Sequence, residues 1–121
     1  MKRDMDLIRK ILIEIENSKE YPIKGNLEIE GYDDDFINFH LILLGEAGLV
    51  KVDSIELSNG KIDIGEVSRL TWEGYEFFDS SRNEKVWKKA TSLVMKKTSG
   101  LAFTILKELL IAFAREAIFN K

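Results

Sequence analysis

The run His40-Leu41-Ile42-Leu43-Leu44-Gly45-Glu46-Ala47-Gly48-Leu49-Val50 constrains this chain more than any other stretch. Leu41, Leu44 and Ala47 recur at helical spacing and lay an apolar stripe against a core, and Gly48 falls where a chain leaving a helix needs a left-handed residue. A helix should therefore stop at Gly48. Residues 49–57 then alternate apolar and polar side chains, and Ser58-Asn59-Gly60-Lys61 is a turn in which Asn-Gly supplies the positive φ of a tight hairpin. The return strand is 62–64 or 67–70, and Gly65 between them suits a bulge or a bend. Thr71 is an N-cap for the next helix, with Gly74 in its first turn where glycine admits close packing.

Upstream, Met5, Ile8, Ile11, Leu12 and Ile15 mark an amphipathic helix capped by Asp4, with Asp6 at the positive end of its dipole. It should end near Ser18, because Pro22 disfavours helical geometry at Tyr21. Residues 26–30 alternate as a short edge strand that Gly31 breaks, and Asp33-Asp34-Asp35 can cap the helix that buries Phe36, Ile37, His40, Leu41, Leu44 and Ala47. Downstream, Tyr75, Phe77 and Phe78 form an aromatic cluster expected to pack on the hairpin and the first helix. Ser80-Ser81 interrupts the helix briefly, and a second run over 83–98 carries Val86, Trp87, Ala90, Leu93 and Val94 on one face, ended by Ser99-Gly100.

The chain's 121 residues and 45% hydrophobic content suit one structural unit, read as a domain over 1–80 with C-terminal helices over 81–121 packing on it or on a partner. The fold class expected is α+β, mainly α. Without cysteine there are no disulfides and no thiolate chemistry, and Asp4, Asp6, Arg9 and Lys10 interrupt the start too soon for a secretory signal, so a cytoplasmic protein is expected. A net charge of −3 gives no bulk attraction to polyanions, so any nucleic-acid contact needs a local basic patch.

The opening Met1-Lys2-Arg3-Asp4-Met5-Asp6-Leu7-Ile8-Arg9-Lys10-Ile11-Leu12, with Gly31-Tyr32, His40-Leu41, Glu46-Ala47-Gly48-Leu49-Val50 and Leu70-Thr71-Trp72-Glu73-Gly74, resembles an uncharacterised bacterial domain family carried by phages and prophages. The resemblance spans residues 1–80 and implies a winged-helix-like fold of helix, short strand, helix and hairpin wing, but no activity. This sequence departs from winged-helix regulators in one respect: residues 27–32 lead almost straight into Asp33, so the helix before the recognition-like helix is missing.

That recognition-like helix would present Asp33, Asp34 and Asp35 where DNA readers place groups facing phosphates and bases. The basic residues lie elsewhere. If 82–97 were one helix, Arg82, Lys85, Lys89 and Lys96 would fall within about 60° of each other, flanked by Lys88 and Lys97. Such a face could contact phosphates or simply be a solvated surface. Residues 101–119 are apolar around most of the helix, which points to burial within the chain or to a homodimer or partner interface through Leu106, Leu109, Leu110, Phe113 and Ile118. Lys107, Glu108, Arg115 and Glu116 argue against a membrane span.

His40 is the only histidine and sits in an apolar stripe, so it reads as a packing residue rather than a general base. No catalytic group, metal site or cofactor motif is expected. Two readings follow: a non-enzymatic winged-helix-like protein touching DNA through Arg82, Lys85, Lys88, Lys89 and Lys96, or a protein-interaction module without DNA binding.

Overall fold

The computed structural model describes residues 2–98 and 103–119. The architecture is α+β and mainly α: α1 (Met5–Asn17), β1 (Ile23–Lys24), α2 (Asp34–Glu46), β2 (Val50–Glu56), β3 (Ile62–Leu70), α3 (Trp72–Ser81), α4 (Glu84–Thr98) and α5 (Phe103–Phe119). The chain divides into two compact units, Met1–Tyr75 and Glu76–Lys121, with residues of α3 in each.

In the first unit, α1 begins as its sequence dictates, with the Leu7 N–H donating to the Asp4 carboxylate at 3.1 Å. Met5, Leu7, Ile8, Ile11, Leu12 and Ile15 are buried. Each such Leu or Ile contributes about 1.5–3 kcal/mol against about 1 kcal/mol for a cap, so burial decides that the helix forms and the cap decides where it starts. α2 is capped by Asp33, which accepts from the Phe36 N–H at 2.8 Å, and it buries Ile37, Asn38, His40, Leu41 and Leu44. Ala47, expected on that buried side, is instead the exposed C-cap residue.

The α2 exit shows why the glycine is required. Gly48 takes φ +74°, its N–H donates to the Gly45 carbonyl at 3.1 Å, and the Leu49 N–H reaches back to the Leu44 carbonyl at 2.9 Å. These two bonds satisfy carbonyls the helix end would otherwise orphan, and buried Leu44 and Leu49 supply the apolar contact that accompanies this type of cap.

The sheet has the order β1-β3-β2, antiparallel throughout, with α1 packed on α2 and β3, and α2 on β2. The expected edge strand at 26–30 is not formed. Ile23 and Lys24 pair with Val67 and Glu66 instead, and Gly25 at φ +79° turns the chain off that edge. Leu27 is buried and Ile29 half-buried, so the alternation read from 26–30 is real as burial but has no ladder to join.

Both candidate return strands belong to one strand, β3, because two bulges hold it together. Val50 and Lys51 face Leu70 and Arg69, Val52 and Asp53 face Val67 and Glu66, and Ser54, Ile55 and Glu56 face Ile64, Asp63 and Ile62. Gly65 and Ser68 are the residues left over. Each bulge adds one residue, so the buried positions Ile64, Val67 and Leu70 are spaced three apart instead of two. On β2 the alternation fades: Val50 is buried and Val52 half-buried, but residues 53–56 are exposed.

In the second unit, Val86 donates its N–H to Asn83 Oδ1 at 3.1 Å, which makes Asn83 the N-cap of α4. Trp87, Ala90 and Val94 form the buried stripe of α4, and α5 packs against this helix with Leu106 and Leu110 fully buried. Tyr75 is exposed, whereas the Phe77 ring meets Trp87 and Phe103 at centroid distances of 6.3 and 4.9 Å. The ring partners of Phe77 are thus residues of α4 and α5. Ser99-Gly100, expected to end α4, and Leu101 lie outside the described residues.

Candidate functional site

The two sequence signatures, 46–50 and 70–74, meet in space. The Thr71 N–H donates to the Leu49 carbonyl at 2.9 Å, the Thr71 hydroxyl donates to the Gly48 carbonyl, and the same oxygen accepts the Gly74 N–H at 3.0 Å. A Cβ on Gly74 would lie 2.0 Å from the Leu49 carbonyl oxygen. Only glycine lets α3 approach the α2 exit this closely, so these motif residues fasten the root of the hairpin rather than present chemistry.

His40 is likewise structural. It is fully buried; the Asp4 N–H donates to Nε2 at 2.8 Å, and Nδ1 lies 2.9 Å from the Phe36 carbonyl. A carbonyl only accepts and an amide N–H only donates, so Nδ1 carries the proton and Nε2 is the acceptor. Both ring nitrogens are used in tying α2 to the start of α1. Edge-on contacts with Phe36 and Phe39, at 4.6 and 5.3 Å, close the remaining sides.

Of the acidic triplet, Asp33 caps α2 and Asp34 accepts from the Asn26 amide at 3.4 Å. Asp35 is exposed and borders a groove of about 300 Å³ between α2 and the hairpin tip, together with Asn38, Phe39, Ile42, Lys61 and Ile62. A second groove of about 650 Å³ follows α2 past Ile42, Gly45 and Glu46 and runs beside β2 from Val50 to Ser54. Ile42 borders both. Among the described residues the outer side of β2 has no neighbouring strand, so one row of peptide groups on this strand faces away from the sheet. Sequence periodicity missed these grooves. The only trace was Gly45, a glycine inside an apolar helical run, whose added Cβ would come no closer than 3.9 Å to Val50 and Val52.

Of the residues expected on a basic face, Lys85, Lys88, Lys89 and Lys96 belong to α4, and Arg82 does not. α4 starts at Glu84, so Arg82 precedes the helix; its Nε lies 2.9 Å from Asp79 Oδ1 and its guanidinium covers the Phe78 ring at 4.4 Å. Lys88 pairs with Glu84 at 3.6 Å, an exposed contact that cancels its charge locally and contributes about 0–1 kcal/mol. The Lys89 ammonium rests over the Phe113 ring at 4.4 Å. Lys85 is exposed, and the side chain of Lys96 lies outside the described residues. Among the residues proposed for an oligomer interface, Leu106 and Leu110 are already covered within the chain, Leu109 and Phe113 are half-buried, and Ile118 is exposed. Among the described residues no helix is long and apolar enough to cross a membrane.

Residues 2–100 match a family described as "Hypothetical protein (DUF2513)". The chain belongs to this family. It is also 32% identical over 112 residues to an uncharacterized protein of Haemophilus influenzae, a match covering 89% of this chain and 91% of that protein. No solved structure matches it. In this DUF2513 member the junction of Gly48, Leu49, Thr71 and Gly74 and both grooves lie inside the matched region, whereas α5 lies beyond it.

Proposed function

We propose that this chain is a non-enzymatic, cytoplasmic protein-interaction module whose α2–hairpin face captures a positively charged protein partner. The observation that carries this reading is charge. From Asp33 to Arg69 there are eight Asp and Glu residues against three Lys and Arg, although the whole chain carries only −3. A surface of that sign repels phosphates and attracts cationic side chains.

The order helix, strand, helix, hairpin, with β1-β3-β2 in the sheet, supports a winged-helix-like reading in which α2 stands where a recognition helix would. Its first residues are carboxylates, two of them engaged locally, which supports reuse of such a scaffold for protein rather than DNA. A phage or prophage setting, implied by the motif resemblance, accords with capture of a host or phage protein. Self-association through α5 rests on its exposed Ile105, Ile111, Ile118 and Phe119.

The test is charge reversal on the face itself. A labelled Lys-rich peptide titrated into the full chain should bind at low salt and lose about tenfold or more in affinity on Glu46→Lys with Asp53→Lys, because like charges across an interface cost several kcal/mol. Equal binding by the variant would show that the α2–hairpin face is not where the peptide binds.

A further inference from the structure

We infer that the groove between α2 and β2 takes an extended, Lys- or Arg-bearing peptide segment that adds to the free edge of β2 as a fourth strand. This rests on the reading of the α2–hairpin face as a protein-binding surface and specifies how the partner sits. Three features converge on β2. It is an edge strand of seven residues without proline, and its charged residues are two acids, Asp53 and Glu56, against one base, Lys51, which suits a cationic neighbour. Both bulges place their extra residue on β3, which leaves the residues of β2 in unbroken alternation for a new neighbour. And a groove of about 650 Å³ borders it from Val50 to Ser54, within the range of about 300–1,000 Å³ typical of binding sites.

The chemistry of the two sides sets the pattern of the occupant. Val52 faces α2, since its Cβ lies 3.9 Å from where a Gly45 Cβ would be, and neighbouring side chains alternate, so Lys51 and Asp53 point to the opposite face. An added strand therefore places every second side chain over Val52 and Ile42, favouring apolar residues, and the others along the face of Lys51 and Asp53, where the position beside Asp53 favours Lys or Arg. Glu46 at one end of the grooves and Asp35 at the other extend the acidic rim. A second folded copy offering its own β2 is a poorer fit. It would bring its own α2 over that strand, and packed helices need about 8–10 Å between axes where paired strands stand only about 4.7–4.9 Å apart.

The probe is a seven-residue alternating Lys-Val peptide, matching the length of β2, beside the same peptide N-methylated along its backbone. Methylation keeps every side chain and charge and removes the donors a ladder needs. Fluorescence anisotropy with the full chain, together with amide hydrogen exchange, reads the outcome. The expected result is salt-sensitive binding of the unmodified peptide, at least about tenfold weaker binding of the methylated one, and slowed exchange within Val50–Glu56 on complex formation. Equal binding of the two peptides, lost on Asp53→Lys, would overturn strand addition and leave the acidic capture surface standing. Binding of neither peptide would overturn both.

Discussion

The root and the tip of the β2–β3 hairpin are made of the same residue types and do opposite things. At the root, Leu49, Val50 and Leu70 are buried to 3% exposure or less; at the tip, Ile55, Leu57 and Ile62 are 58%, 42% and 41% exposed. The root is held by Thr71, by the Gly48 exit and by an approach that only Gly74 allows, whereas the tip is held by its turn, through Gly60 N–H to the Leu57 carbonyl at 2.9 Å. The difference teaches where each half's sequence is constrained. Motif residues at the root carry the fold, whereas the stretch from Asp53 outward is exposed and less patterned.

Breaking the root should have the largest effect. Gly74→Ala drives a methyl group into the Leu49 carbonyl, a backbone atom that cannot swing aside, and should lower stability by more than about 3 kcal/mol, read as the urea midpoint at unchanged slope. A loss below about 1 kcal/mol would show that the close approach of α3 is dispensable. Thr71→Ala is the next step down, since it removes the cap to Gly74 and the donor to Gly48 but adds no clash; about 1–2 kcal/mol is expected in the same measurement. At the tip, Ile55→Thr keeps the β-branched shape at a half-exposed position and should stay within about 0.5 kcal/mol of the parent. A larger loss there would mean that the tip contributes to folding stability as the root does.

Much of the root was legible in the sequence because its signals are local. The capping bonds of Asp4, Asp33 and Thr71 and the turn at Gly48 span about one helical turn, and each terminates or begins an element where its chemistry says it should. The glycine at position 65 marked a bulge for the same reason. What failed to show was whatever depends on a second segment. Residues 26–30 have a strand's alternation, but the edge of β3 was already met by Ile23 and Lys24. The bulge at Ser68 carries no sequence signal, and with Gly65 it turns a period of two into three. A helix over 82–97 overlooks Asn83, which caps α4 and leaves Arg82 ahead of it. The grooves exist only because α2 and β2 come together, so no periodicity within either could reveal them.

The two units also differ in sign: Met1–Tyr75 holds sixteen Asp and Glu against nine Lys and Arg, and Glu76–Lys121 holds five against nine. The basic balance of the second unit is the best remaining argument for nucleic acid, which makes a direct titration decisive. A labelled generic duplex and a labelled Lys-rich peptide should be titrated separately with the full chain at low salt and followed by fluorescence anisotropy. Capture of a cationic partner by the α2–hairpin face predicts that the peptide binds and the duplex does not. Salt-sensitive binding of the duplex, abolished by Lys85→Glu with Lys89→Glu while the peptide stays unbound, would contradict it.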